Sequence, residues 1–297
     1  MLSYTIVDSD SAFAELLASW DDRNIHTLAM DFEGEFNLHI YGEHLCLIQL
    51  FDGYSYYLVD PFKISSEMLQ RFLEDASREK VMFDCASDSA LVRKQYGIIM
   101  EGVFDIRVLA LALGYTGNLS GLIERYLPEI PKKPVSAKKK NQMTNWLKRP
   151  LKPEQIQYAL SDVEHLFALK NLLQRDIAEQ GEELQMKVHE QMKGVGKSKG
   201  PDRPGWTKFS SWKYLSKDER VFLKHFFLAR DTLARKYNVP AVRILEKPLL
   251  LQMAKNVPAS DIDFHIYCGK CAPKKLAELV NILKQAKQDA LTELGRA

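Results

Sequence analysis

The pattern of apolar and polar positions changes period several times along the chain. Residues 8–20 open with capping residues and continue with Phe13, Leu16, Leu17 and Trp20 at helical spacing, which predicts an amphipathic helix. Thr27–Glu35 is an apolar run that ends in acids and reads as a buried strand. Successive strand side chains point to opposite faces, so Asp31 and Glu33 share one face while Phe32 points to the other. His44–Phe51 and Tyr56–Asp60 flank Asp52-Gly53, a strong hairpin signal. Three antiparallel strands are therefore expected, with Asp31 and Glu33 on the first. Residues 65–76 have amphipathic helical spacing, and Lys80–Phe83 reads as a short buried strand. Ser87–Gly97 is expected to be helical, with serine at its start and glycine at its end. A strand over 102–107 and an Ala/Leu-rich helix over 107–114 follow. This order predicts an α/β mixed sheet with helices on both faces.

The second half of the chain reads as helix. Pro153 with Ile156, Leu160, Val163 and Leu166 marks a helix over 152–166, with Tyr158 and Asp162 one turn apart on a shared face. Residues 190–205 are rich in Gly, Lys and Pro and read as a flexible linker. Beyond it, 216–237, 249–254 and 272–293 have amphipathic helical patterns. The expected organisation is an α/β domain at 1–190, a linker at 191–210 and a small all-α domain at 211–297.

With 297 residues the chain is long enough for two sizeable cores. Nothing in it approaches the ~20 apolar residues that cross a bilayer, and the N-terminus lacks a signal pattern. A cytoplasmic protein with no membrane partner is expected. Net charge is only +2, so local charge is more informative. Lys132, Lys133, Lys138, Lys139, Lys140, Lys148, Arg149 and Lys152 occur with no acid among them. Such a run is either a solvated loop or a contact for nucleic-acid phosphates, for which Lys138, Lys139, Lys140, Lys148 and Arg149 are the candidates. Trp206, Phe209, Trp212 and Tyr214, interleaved with Lys208 and Lys213, either stack bases or pack onto a domain. Cys46, Cys85, Cys268 and Cys271 do not make a disulfide framework in a chain this long. Cys268 and Cys271 lack the two further ligands of a zinc site, since His265 supplies at most one. Cys85 is expected to be a buried small residue.

The chemistry lies in the acids. Two carboxylates ~4 Å apart at an effective dielectric of ~20 repel by about 4 kcal/mol, so Asp31 and Glu33 are either solvated at a strand end or share a cation. Asp88 at a helix start and Asp162 raise the set to four carboxylates. That number suits two hard divalent ions bound through oxygen, as in phosphodiester hydrolysis. Tyr158 is placed to orient or deprotonate a water. Asp105 is expected to have a structural role.

Asp31-Phe-Glu33, Phe83-Asp-Cys-Ala-Ser-Asp88 with Tyr96-Gly97 and Phe104-Asp105, and Tyr158-Ala-Leu-Ser-Asp162 resemble, in order, the three motifs of the DEDD exonuclease superfamily. The tyrosine is similar to that of the DEDDy branch, and Trp146-Leu-Lys-Arg-Pro-Leu151 resembles its ribonuclease D type. Phe83 and Asn145 depart from that pattern, where His and Asp are frequent. The resemblance implies a ribonuclease-H-like exonuclease fold and two Mg²⁺ or Mn²⁺ ions on Asp31, Glu33, Asp88 and Asp162. It further implies water activation by Tyr158 and release of nucleoside 5′-monophosphates from single-stranded RNA 3′ ends, tRNA-like RNAs among them. The helical region, through Phe227–Pro240, Leu249–Ala254 and Asn256-Val-Pro258, resembles an HRDC nucleic-acid-binding domain. No GxxxxGK[ST] loop occurs, so no nucleotide cofactor is expected. A DNA 3′-5′ exonuclease and a catalytically silent RNA-binding adaptor remain as alternatives.

Overall fold

The computed structural model describes residues 3–131, 143–197 and 203–296. Lys132, Lys133, Lys138, Lys139 and Lys140 lie outside the described residues. The chain divides into two compact units, Met1–Glu35 with Glu43–Lys199, and Phe36–Gly42 with Gly200–Ala297.

The first unit begins with β1 (Tyr4–Val7), α1 (Asp10–Asp22), β2 (Thr27–Phe36), β3 (Glu43–Phe51) and β4 (Tyr56–Val59). It continues with α2 (Ser66–Leu73), β5 (Glu79–Met82), α3 (Ala86–Tyr96), β6 (Val103–Asp105), α4 (Ile106–Ala112) and α5 (Leu119–Tyr126). After the basic stretch come α6 (Pro153–Val163), α7 (Leu166–Glu179) and α8 (Glu182–Met192). The strands form one sheet in the order β1-β4-β3-β2-β5-β6. The pairs β1/β4, β2/β5 and β5/β6 are parallel and β3/β4 is antiparallel. This is the mixed sheet flanked by helices that the alternation of elements implied.

The two faces of β2 explain its sequence. Leu28, Met30 and Phe32 point into one core with Phe13 and Trp20 of α1, Phe72 of α2 and Val92 of α3. On the other face Ala29 packs with Leu109 of α4 and Leu166 and Leu169 of α7. Nearby, Cys46 and Leu47 of β3 pack with Trp146 and with Ile156, Ala159 and Leu160 of α6. The odd-numbered positions of β2 therefore face the layer that contains α6.

The hairpin predicted around Asp52 forms, and Asp52 also ties it to α1. Its Oδ1 accepts the backbone N–H groups of Tyr54 (2.9 Å) and Ser55 (2.7 Å). Its Oδ2 accepts from Trp20 Nε1 (3.1 Å), Arg23 Nη2 (3.0 Å) and the Tyr57 hydroxyl (2.9 Å). Burial alone would raise the Asp52 carboxyl, but the bonds from Ser55, Tyr54, Tyr57 and Trp20 outweigh it and hold the group below its usual range. α3 ends as expected at Gly97, whose φ of 76° suits glycine.

The second unit contains α9 (Lys217–Lys236), α10 (Lys247–Lys255), α11 (Asp261–Cys268) and α12 (Pro273–Glu293). Their core is built from Phe222, Phe226, Leu233, Leu250, Phe264 and Leu283. A reciprocal cap between Ser216 and Glu219 starts α9. Cys268 and Cys271 are buried in this core, and burial pushes the Cys268 thiol up to about 12. α8, the last helix of the first unit, ends at Met192, and Gly205–Lys208 form a 3₁₀ turn in the second. No described helix is long and apolar enough to cross a membrane.

Asp52→Asn is expected to lower unfolding stability at pH 7 by about 2–4 kcal/mol, because it strips a buried charged acceptor from several donors. The folded carboxyl has a depressed pKa, so its contribution is present above the unfolded value and is lost as pH falls through the folded one. Urea unfolding of the two proteins should show the difference at pH 7 and its disappearance toward the acid end. A pH-independent difference would contradict this account.

Candidate active site

The second face of β2 presents Asp31, Glu33 and Glu35 in alternation. Asp31 is half-buried and Glu33 is 9% exposed. α6 approaches from the layer above, and Pro153 in its first turn suits the helix start. Its buried side chains Ile156, Ala159 and Leu160 fix which side of the helix meets the sheet. Asp162 thereby comes to β2, and one carboxylate oxygen each from Asp31, Glu33 and Asp162 lies within 4.8 Å of the other two. Tyr158, one turn earlier, makes a side-chain hydrogen bond with Asp162. Its ring lies 6.2 Å from that of buried Trp146. Burial, the charges of Asp162 and Glu33, the bond to Asp162 and the charge of Asp31 together push the Tyr158 phenol well above its usual value. The structure thus brings four of the five sequence-predicted residues together. The donor set is all oxygen, anionic and partly withdrawn from water, which fits a hard divalent cation such as Mg²⁺ or Mn²⁺.

Asp88 stands outside this group of three. It sits in the first turn of α3, whose Leu91 and Val92 belong to the core on the opposite face of the sheet. It therefore comes from the other layer, at the end of β5. Burial first, and then the charges of Asp105 and Asp84, push its carboxyl up to about 7. Asp105 sets this corner. Its Oδ1 accepts the N–H groups of Asp84 (2.8 Å) and Arg107 (2.8 Å), and its Oδ2 accepts that of Cys85 (3.1 Å). Asp84 has a φ of 61°, a left-handed conformation that a non-glycine residue holds only when its surroundings require it. Asp105 thus caps α4 and fixes the turn into α3, the structural role expected of it.

Glu35 was not singled out by the sequence reading. It is 1% exposed on the same face of β2, and strand alternation alone was enough to find it. The basic candidates separate. Lys138, Lys139 and Lys140 lie outside the described residues, and Lys148 is exposed. Arg149 has internal partners. Its Nε and Nη2 grip Asp60 at 2.7 and 3.0 Å, Nη2 also donates to the Cys46 carbonyl, and Nη1 donates to the Trp146 carbonyl at 2.8 Å. A guanidinium so engaged fastens the segment before α6 to the sheet. Phe83 is half-buried beneath the Arg107 guanidinium, 5.5 Å from its ring centre. Asn145 accepts the Leu147 N–H at 3.0 Å and shapes the turn before Trp146.

Residues 4–178 match the 3′-5′ exonuclease family over more than half of the chain, and the chain belongs to that family. Among individual proteins it resembles the ribonuclease D of Haemophilus influenzae, with 28% identity over 178 residues. That match covers 59% of this chain and 42% of the relative. It also resembles the ribonuclease D of Xanthomonas oryzae pv. oryzae, with 25% identity over 249 residues, 83% of this chain and 67% of that protein. The crystal structure of Escherichia coli RNase D, an exoribonuclease involved in structured RNA processing, superposes with a TM-score of 0.72. That superposition has 22% sequence identity and covers 96% of this chain and 76% of the other, and at such identity it shows the fold alone.

Arg149→Met is expected to lower unfolding stability by about 2–3 kcal/mol, since it leaves Asp60 and the carbonyls of Cys46, Trp146 and Lys148 without this donor. Denaturant titration measures this. Unchanged stability, with a weaker salt dependence of RNA binding, would make phosphate contact the principal role of Arg149.

Proposed function

We propose that this protein is a 3′-5′ exoribonuclease that releases nucleoside 5′-monophosphates from single-stranded RNA 3′ ends, in the end-processing of structured, tRNA-like RNAs. The observation that carries the reading is the grouping of Asp31, Glu33 and Asp162 within 4.8 Å, with Tyr158 hydrogen-bonded to its edge. Support for RNA comes from the relatives named ribonuclease D. In this reading Asp31, Glu33 and Asp162, with Asp88 from the opposite layer, hold two Mg²⁺ or Mn²⁺ ions. Such ions supply Lewis acidity toward a phosphodiester and offset charge on its attacking and leaving oxygens.

The roles of the chain's own residues follow from their positions. The Tyr158 hydroxyl donates its proton toward Asp162, so its oxygen retains lone pairs that accept a hydrogen bond from water. It thereby aims that water at the terminal phosphorus. Attack breaks the bond to the 3′ oxygen of the preceding nucleotide. That oxygen leaves and takes up a proton, and the terminal nucleotide departs as a 5′-monophosphate. The buried side of α6 keeps Tyr158 and Asp162 in register with β2. The proposed exonuclease domain spans 1–190. Lys138, Lys139, Lys140, Lys148 and Arg149 contact RNA phosphates, and the HRDC-like helical domain at 211–297, joined through 191–210, also binds the RNA backbone. Such binding weakens steeply with salt. The protein works in the cytoplasm, without a nucleotide cofactor.

A 3′-5′ DNA exonuclease would use the same five residues, so matched RNA and DNA oligonucleotides decide the sugar. Faster release from RNA is expected, and equal or faster release from DNA would overturn the choice. Asp31→Ala should abolish Mg²⁺-dependent monophosphate release and leave RNA affinity within about three-fold of wild type. Full activity of that variant, or of the wild type in excess EDTA, would sink the two-ion assignment. Tyr158→Phe should lower kcat by about 10²-fold with KM little changed, in the range of a lost positioning group. An unchanged kcat would remove Tyr158 from the mechanism.

A further inference from the structure

Residues 203–217 contain Arg203, Lys208, Lys213 and Lys217 and no acid, in a chain whose 41 Lys and Arg nearly balance 39 Asp and Glu. Four aromatic residues are interleaved with these cations, and the structure gives them different work. Trp206 and Phe209 stand edge-on to Phe227, with ring centres 6.1 and 6.3 Å away. Trp212 packs against the helical core, with the Arg220 guanidinium 5.5 Å from its ring. Those three are spent on packing. Tyr214 is not, for it remains 78% exposed.

A single exposed aromatic side chain is ordinary on a protein surface. Tyr214 differs in how it is held and in what surrounds it. It closes a 3₁₀ turn, Trp212–Tyr214, and its N–H donates to the Ser211 carbonyl at 2.9 Å. The next residue, Leu215, is buried in the core. Arg220 reaches back from α9 to donate from Nε to the Trp212 carbonyl (3.2 Å) and from Nη2 to the Lys213 carbonyl (2.9 Å). The turn is thus pinned on both sides of the exposed ring, which lowers the entropy lost when a ligand stacks there. The Lys213 ammonium lies 5.1 Å from the ring centre. Neither Lys213 nor Lys217 has an ion pair among the described residues, so both charges remain available to a polyanion.

We propose that Tyr214, flanked by Lys213 and Lys217, is a stacking platform for a base of single-stranded RNA on the helical unit. A flat ring with cations beside it matches the two halves of a nucleotide, an aromatic base and an anionic phosphate. Only an unpaired strand offers a free base face, and stacking tolerates any base, so the site selects strandedness rather than sequence. The choice of RNA over DNA rests on the exoribonuclease reading above. The platform itself does not require that reading.

The test is anisotropy of a 5′-labelled adenosine oligoribonucleotide bound to the full chain in excess EDTA, where the proposed hydrolysis is silent. Tyr214→Ala is expected to bind about ten-fold more weakly, while Tyr214→Trp and Tyr214→Phe stay within about two-fold of wild type. Lys213→Ala should reduce the slope of log affinity against log salt by about 0.7, the value for one phosphate contact on a single strand. Thermal melting should be unchanged in Tyr214→Ala, because the side chain is exposed. Wild-type affinity in Tyr214→Ala would overturn the platform, as would equal losses in Tyr214→Ala and Tyr214→Phe, which would assign the effect to the hydroxyl. The exoribonuclease reading fails by a different result, no monophosphate release from the same oligonucleotide with Mg²⁺.

Discussion

Three carboxylates held within 4.8 Å of one another repel, and the rest of the first unit is arranged so that they cannot separate. At that spacing each pair costs about 3–4 kcal/mol at an effective dielectric of ~20. Packing supplies the restraint. Phe32, between Asp31 and Glu33, is buried in the core on one side of the sheet, so β2 cannot roll to release its acids. Ile156, Ala159 and Leu160 hold α6 against β3 on the other side, so Asp162 cannot swing away. Arg149 anchors the segment that leads into α6 to Asp60 and to the Cys46 carbonyl. Apolar burial on both faces thus preorganises a charge arrangement that is unfavourable by itself, which is the condition for tight binding of a compact cation.

Both layers of helices contribute to this corner. α6 comes from the second face, whereas α3, which carries Asp88, packs its apolar side chains on the first. Asp31 on β2 and Asp88 after β5 both follow the paired stretch of these parallel strands, the end at which α/β sheets commonly present functional groups. The family match over residues 4–178 includes every one of these elements.

What could be read from the sequence was whatever depends on near neighbours in the chain. The shared face of Asp31 and Glu33 follows from a period of two, and the Tyr158–Asp162 pair from a helical turn. The hairpin follows from Asp52-Gly53. What escaped depends on distant partners. β1 has only Val7 firmly buried and exists because it pairs with β4, so its own residues give a weak signal. Arg149 looked like one more cation in a basic run. Only the approach of Asp60, far away in the chain, shows that it also has an internal partner. The aromatic residues at 206–214 were ambiguous for the same reason, since Phe227 and Arg220 decide which of them are buried.

The carboxylate of Asp105 serves the starts of two helices at once, and this joins events that would otherwise be separate. β6 is three residues long and lies at the edge of the sheet. Local opening of a native protein costs anything from nearly nothing to the full global unfolding free energy, according to how each segment is held. Without β6 in place, Asp84 would lose the acceptor that holds its left-handed backbone at the entry to α3. Asp88, in that first turn, shares the same dependence. The placement of Asp88 is thus tied to β6 through one carboxylate, and amide exchange at Asp84 and Cys85 reads the persistence of that tie.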